Sequence, residues 1–145
     1  MMFDCQQALI RHLSLKFEPA AIKTIKQYAG EIQDADNLAQ LMPAVLVNYQ
    51  DGSPMAQDPL HNFDLLVITQ SVTLQKSQSK DTGLQLSSLV INYLRDNSVF
   101  TKIGGGGTYA IKTEGVQAGL IAMDNSRFHI IDVSLPIMDH THDLT

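Results

Sequence analysis

Cysteine is nearly missing from this 145-residue chain, and tryptophan is missing altogether. The lone thiol, Cys5, excludes an intrachain disulfide and makes a reducing compartment the natural setting. It stands on an apolar stripe with Leu9, Leu13 and Phe17 at spacing four. No His-bearing motif accompanies it, so an inert buried thiol is expected rather than a nucleophile. Charge is also scarce: 17% of the residues are Asp, Glu, Lys or Arg, against the usual ~25%. A net charge of -5 argues against sequence-independent binding of nucleic acid, which needs Lys and Arg for the phosphates. No apolar run approaches the ~20 residues that span a bilayer, and no basic segment precedes an apolar core at the N-terminus. A soluble protein that stays where it is made is expected.

Glutamate is rare too, with Glu18, Glu31 and Glu114 the whole set, and no carboxylate pair stands at an acid–base spacing. Gly-x-Ser-x-Gly and His-Glu-x-x-His are both lacking. Residues 104–107 are four glycines, but Thr108-Tyr109 follows where a phosphate loop requires Lys-Ser/Thr leading into a helix. They read as a flexible hinge. Asp34 and Asp36 open like a calcium loop, yet the Gly and the closing Glu are missing, and helix capping explains them better. Residues 139–143, DHTHD, place two imidazoles on one side of an extended chain. Their closeness to the C-terminus makes a flexible tail over 138–145 the expectation, not a Zn²⁺ or Ni²⁺ site. No catalytic residue, cofactor or metal ligand is assigned, and the chain is not expected to be an enzyme.

What is present is a single domain over 1–145, long enough to bury about 68–70% of its unfolded surface. The composition is 44% hydrophobic. The pattern predicts an α+β fold: a mostly antiparallel sheet, one long helix over residues 81–96, and an N-terminal helix over 1–17 packed on it. Residues 20–29 suit a helix or an edge strand equally. A short helix is expected over 37–42, ended by Pro43. Strands are expected at 44–49, apolar on both faces and therefore central, and at 61–72. In the long helix, Leu86, Leu89, Val90, Tyr93 and Leu94 form the core stripe, with Leu84 and Ile91 on a second face. A strand is expected at 108–113, then a closing hairpin pairing 116–123 with 127–137. In its second strand Ile131, Val133, Leu135 and Ile137 point inward, and Asp132 and Ser134 outward. Pro136 marks an edge or a strand terminus, and His129 falls on the inward register.

Charge is unevenly placed. No Lys or Arg occurs from residue 27 to 75, where Glu31, Asp34, Asp36, Asp51, Asp58 and Asp64 lie. Arg11, Lys16, Lys23 and Lys26 dominate the preceding segment. Such segregation can steer one copy onto the next.

The order IKTIKQYAGEI, LAQLMPAVLVNY, FDLLVITQ, GLQLSSLVINYL and VQAGLIAMDNSRFHIIDVSLPI resembles a family of small proteins from Mu-like phages and prophages. Tyr28-Ala29-Gly30-Glu31 and the strand after Pro43, with Met42 in a leucine place, carry the likeness, which spans residues 22–137. The glycine run at 104–107 departs from it. The family is similar to phage tail terminators, α+β subunits that form a ring at the head-proximal end of the tail tube. The resemblance implies a structural, self-associating protein, a homo-oligomeric ring with a hexamer favoured. Its partners are then tail tube and neck proteins, and its location the bacterial cytoplasm during assembly and then the virion tail. The loops over 50–62 and 73–80 are the candidate tube contacts, with Asp51, Asp58, Gln75, Lys76 and Lys80 as candidate residues. The alternatives are a neck or adaptor protein that forms no ring, and a small ligand-binding or hydrolytic domain using His129.

Overall fold

The computed structural model describes residues 2–17, 21–30, 40–52, 60–70, 76–122 and 128–140. Helix α1 (Met2–Lys16) is followed by strands β1 (Thr24–Gln27), β2 (Ala44–Gly52) and β3 (Leu60–Gln70), then helix α2 (Lys76–Asp96). Strands β4 (Val99–Thr101) and β5 (Thr108–Ile111), a 3₁₀ turn (Thr113–Gly115), β6 (Gln117–Ala122) and β7 (Phe128–His140) complete the order. Among the described residues this is an α+β fold with two helices and one seven-stranded sheet of order β1-β2-β3-β7-β5-β4, in which β6 also pairs with β7. All pairings are antiparallel except the parallel β1–β2 edge.

Alternation along the strands puts a core on the helix-bearing face. Val45 and Val47, Phe63, Leu65 and Val67, and Ile131, Val133, Leu135 and Ile137 are buried there against Cys5, Leu9 and Leu13 of α1 and Leu86, Val90 and Leu94 of α2. Each such side chain contributes roughly 1.5–3 kcal/mol. Strand β2 is apolar on both faces because a second cluster, Ala44, Leu46, Leu66, Ile68 and Ile130, lies on the opposite face beneath Tyr28, Leu41 and Met42. The inward and outward sets expected for the last strand are as observed for Ile131 to Ile137.

Several expectations are corrected. The ambiguous segment 20–29 contains strand β1, whose register places Ile25 opposite Val45. The long helix begins at Lys76 rather than 81, so Lys76 and Lys80 stand on its first turns and not in a loop. Leu89 leaves the core stripe and is 58% exposed. The glycine run is not a hinge but the turn of a β4–β5 hairpin, with Gly105 and Gly106 at φ 76 and 82, a region closed to most side chains. Strand β4, too short to show a period, had no sequence signal. Residues 138–140 of the expected tail continue β7, pairing Thr108 with His140 and Tyr109 with Asp139; residues 141–145 lie outside the described residues. Of the short helix expected at 37–42, residues 37–39 also lie outside the described residues, and Gln40 and Leu41 are helical.

Pro136 is neither at an edge nor at a terminus. It lies inside β7, opposite Asn62 of β3. Its carbonyl accepts from the Lys112 N–H (2.9 Å), so the side of Pro136 lacking an N–H faces the lane formed by β5 and β6. The 3₁₀ turn interrupts that lane there, and no ladder partner is left facing the missing donor.

Candidate functional site

Three polar constellations are built on this frame. The first fastens α1 to the β4–β5 hairpin. Asp4, in the first turn of α1, accepts the Gly104 N–H at Oδ1 (3.0 Å) and the Tyr109 hydroxyl at Oδ2 (2.6 Å). Burial pushes the Asp4 carboxyl up, but the hydrogen bonds from Tyr109, Gly104 and Ile103 outweigh it and hold the group below its ordinary value. Burial, and then the Asp4 carboxylate, drive the Tyr109 phenol far above its usual range. Directly across the ladder from Tyr109, Asp139 forms an ion pair with Lys102 Nζ at 2.5 Å, both side chains being more than nine-tenths buried. The same ammonium lies 5.2 Å from the Tyr109 ring centroid. Burial, then the Asp139 charge, push the Cys5 thiol up to about 12, which makes it inert at neutral pH. His61 is buried nearby, burial lowers its pKa, and its Nε2 has no hydrogen-bond partner among the described residues.

The second constellation is a caged imidazole. His12 lies stacked on Phe100 (4.9 Å between centroids) and beside Tyr93 (5.0 Å). Its Nε2–H donates to the Asn97 carbonyl (2.8 Å), while the Tyr93 hydroxyl donates to the His12 carbonyl (2.9 Å). Burial, the largest influence, keeps its pKa below the ordinary value. Just outside it is a groove of about 350 Å³ between α1 and β4, lined by Ala8, Arg11, Leu15, Val99 and Thr101 as well as His12 and Phe100. Leu15 is 77% exposed and Val99 59%.

The third constellation occupies the sheet face away from the helices. Asp64 of β3 pairs in register with Ser134, and Asp132 of β7 with Leu66, so the two carboxyl groups are diagonal neighbours. Burial, the Asp64 charge, and the hydrogen bond between the two carboxyls push Asp132 up to about 6. Gln50 Nε2 donates to Asp64. Asp132 Oδ1 has no hydrogen-bond partner among the described residues. The pair lines an open recess of about 450 Å³ with Gln50, Asn62, Ser134 and Pro136. Gly119, directly opposite Asp132 on β6, has nothing within 4 Å of where a Cβ would stand.

The sequence reading that no carboxylates pair is therefore corrected: strand register unites two Asp residues far apart in the chain. The signal was an Asp interrupting each of two apolar runs, FDLL and IIDV. Among the residues expected to touch a partner, Lys76 and Lys80 lie on α2 and Asp51 lies near the end of β2, opposite Asn62. Gln75 and Asp58 lie outside the described residues, and nothing described joins Asp51 to the two lysines. Of the DHTHD segment, Asp139 is committed to Lys102. Among the described residues no three His, Cys, Asp or Glu side chains converge as metal ligands would. His129 stands on β7 opposite Thr69. Among the described residues no helix is long and apolar enough to cross a membrane.

The chain matches no protein-family model and no curated protein. The likeness to Mu-like tail proteins thus rests on the quoted motifs alone.

Proposed function

We propose that this protein is a structural subunit of a Mu-like phage or prophage tail, a ring-forming terminator that caps the tail tube and joins it to the head. The observation that carries the reading is the open sheet. Among the described residues no strand pairs with the outer edges of β1 and β4, which stand at opposite ends of one sheet, and the Arg11 guanidinium meets the Thr101 carbonyl of β4. A closed ring needs two different contact surfaces on each copy, and a subunit with two distinct open edges supplies them. Exposed apolar side chains at Leu15, Val99 and Ile103 add area of the kind that association covers. The polar constellations also suit a scaffold. Asp4, Lys102, Tyr109 and Asp139 bind one another and leave a rigid frame. The subunit would act in the bacterial cytoplasm during assembly and remain in the virion tail.

Electron microscopy of tails assembled with and without the protein tests this reading. Tubes of uncontrolled, excessive length that fail to join heads are expected in its absence. Tails of normal length and normal head attachment would reject it.

A further inference from the structure

Two surfaces of this chain are complementary in charge and stand apart on it, one at the β4 edge and one on the sheet face away from the helices. At that edge, the groove between α1 and β4 has Arg11 as its one permanently charged lining residue among the described residues, set among the exposed Leu15 and Val99. Among the described residues Arg11 spends a single nitrogen on the fold: Nη2 donates to the Thr101 carbonyl (3.0 Å) and hydroxyl (3.1 Å). On the sheet face away from the helices, Asp64 and Asp132 are the charged residues among the described ones that line the recess, and no described Lys or Arg lines it.

We propose that the α1–β4 groove of one copy docks on the Asp64–Asp132 face of the next, head to tail, with the Arg11 guanidinium against the two carboxyl groups. This deepens the ring reading and rests on it.

Three considerations favour a second copy in this arrangement. A guanidinium presents its donors as a planar fork, which matches a pair of carboxyl groups and supplies a cation that no described residue of the same copy places in the recess. The two surfaces are different and do not overlap, as a heterologous contact requires. A two-fold contact through either surface alone would set Arg11 against Arg11, or one Asp pair against another, and like charges facing across an interface are repulsive. Gly119 leaves the flank of Asp132 open to an approaching side chain, while Leu15 and Val99 supply apolar area around the cation.

The test is a charge exchange read by sedimentation velocity and native mass spectrometry on the full chain, with circular dichroism and thermal melting as checks on folding. Arg11→Glu and Asp132→Arg are each expected to weaken association at least tenfold, and the double variant to recover most of it. Leu15→Asp tests the apolar rim without touching the Thr101 contact, and is also expected to weaken association at least tenfold; Leu89→Asp, on α2, is expected to leave it unchanged. If the wild type assembles but the folded single variants assemble equally well, the proposal is overturned and the ring reading stands. Weakening by both single exchanges without recovery in the double variant would show that Arg11 and Asp132 do not meet across the contact, and also overturns it. A wild type that stays monomeric at every concentration overturns the ring reading and this contact together.

Discussion

The Tyr109 hydroxyl donates to the Asp4 carboxylate at 2.6 Å, tying the start of α1 to the second strand of the glycine-turned hairpin. The phenol is fully buried, and among the described residues Asp4 is the acceptor of its proton. Tyr109→Phe keeps the ring beneath α1 and removes only the donor. It is expected to lower stability by about 1–3 kcal/mol, the range for a hydrogen bond to a charged group, and to raise the Asp4 pKa. Urea denaturation of the variant and NMR titration of Asp4 measure the two effects.

A side chain at residue 115 has no room. A Cβ built on Gly115 would stand 2.7 Å from Pro136 Cγ, and a proline ring cannot swing aside. Gly115→Ala is expected to destabilise the fold by roughly 1–3 kcal/mol through overcrowding. Pro136→Ala in the same chain should recover part of that loss, since the two sites touch and their effects cannot add. Thermal melts of the single and double variants give the coupling directly.

His12 sets a pH dependence with a definite sign. Burial holds its folded pKa below the ordinary value of 6.5, so the unfolded chain takes up a proton first as pH falls. The associated stability is present above about pH 6.5 and is lost as pH drops through the folded value. Buried His61 acts in the same direction. His12→Phe preserves the stack on Phe100 and is expected to cost about 1 kcal/mol at pH 7, from the lost bond to the Asn97 carbonyl. Its stability should then fall less than the wild type's between pH 6.5 and 5, as measured by chemical denaturation at each pH.

Asp132 has the opposite sign. Its folded pKa, about 6 against an ordinary value of 3.8, means that stability is fully present below about pH 3.8 and is lost as pH rises through 6. Asp132→Asn is therefore expected to stabilise the isolated subunit by about 1–2 kcal/mol at pH 8, after allowing for solvent screening. That gain should shrink toward zero near pH 4. An unchanged difference across this range would show that the two carboxyls do not interact.

Much of the fold was legible in the chain because its strands carry strict alternation. The pairs Val45 and Val47, Phe63 and Leu65, and Ile131 and Val133 reveal period and face together. Cys5, Leu9 and Leu13 show the buried stripe of α1. What resisted reading depends on pairings distant in sequence. Asp64 meets Asp132, and Tyr109 meets Asp139, only through strand register, and Asp4 reaches Gly104 only once α1 lies on the hairpin. Strand β4, Val99–Thr101, is too short for any period to register. The α2 start was missed because Lys76 to Lys80 form a polar run that resembles a loop. Pro136 was misplaced because whether a proline can sit within a sheet depends on what lies opposite its nitrogen, here the 3₁₀ turn at Thr113–Gly115.

The most direct test of self-assembly is the native mass of the purified protein across a range of concentrations. A closed oligomer with a single mass is predicted, with six copies favoured, dissociating when Arg11 or Asp132 is reversed in charge. A chain that remains one copy at every concentration would contradict a ring built from this subunit.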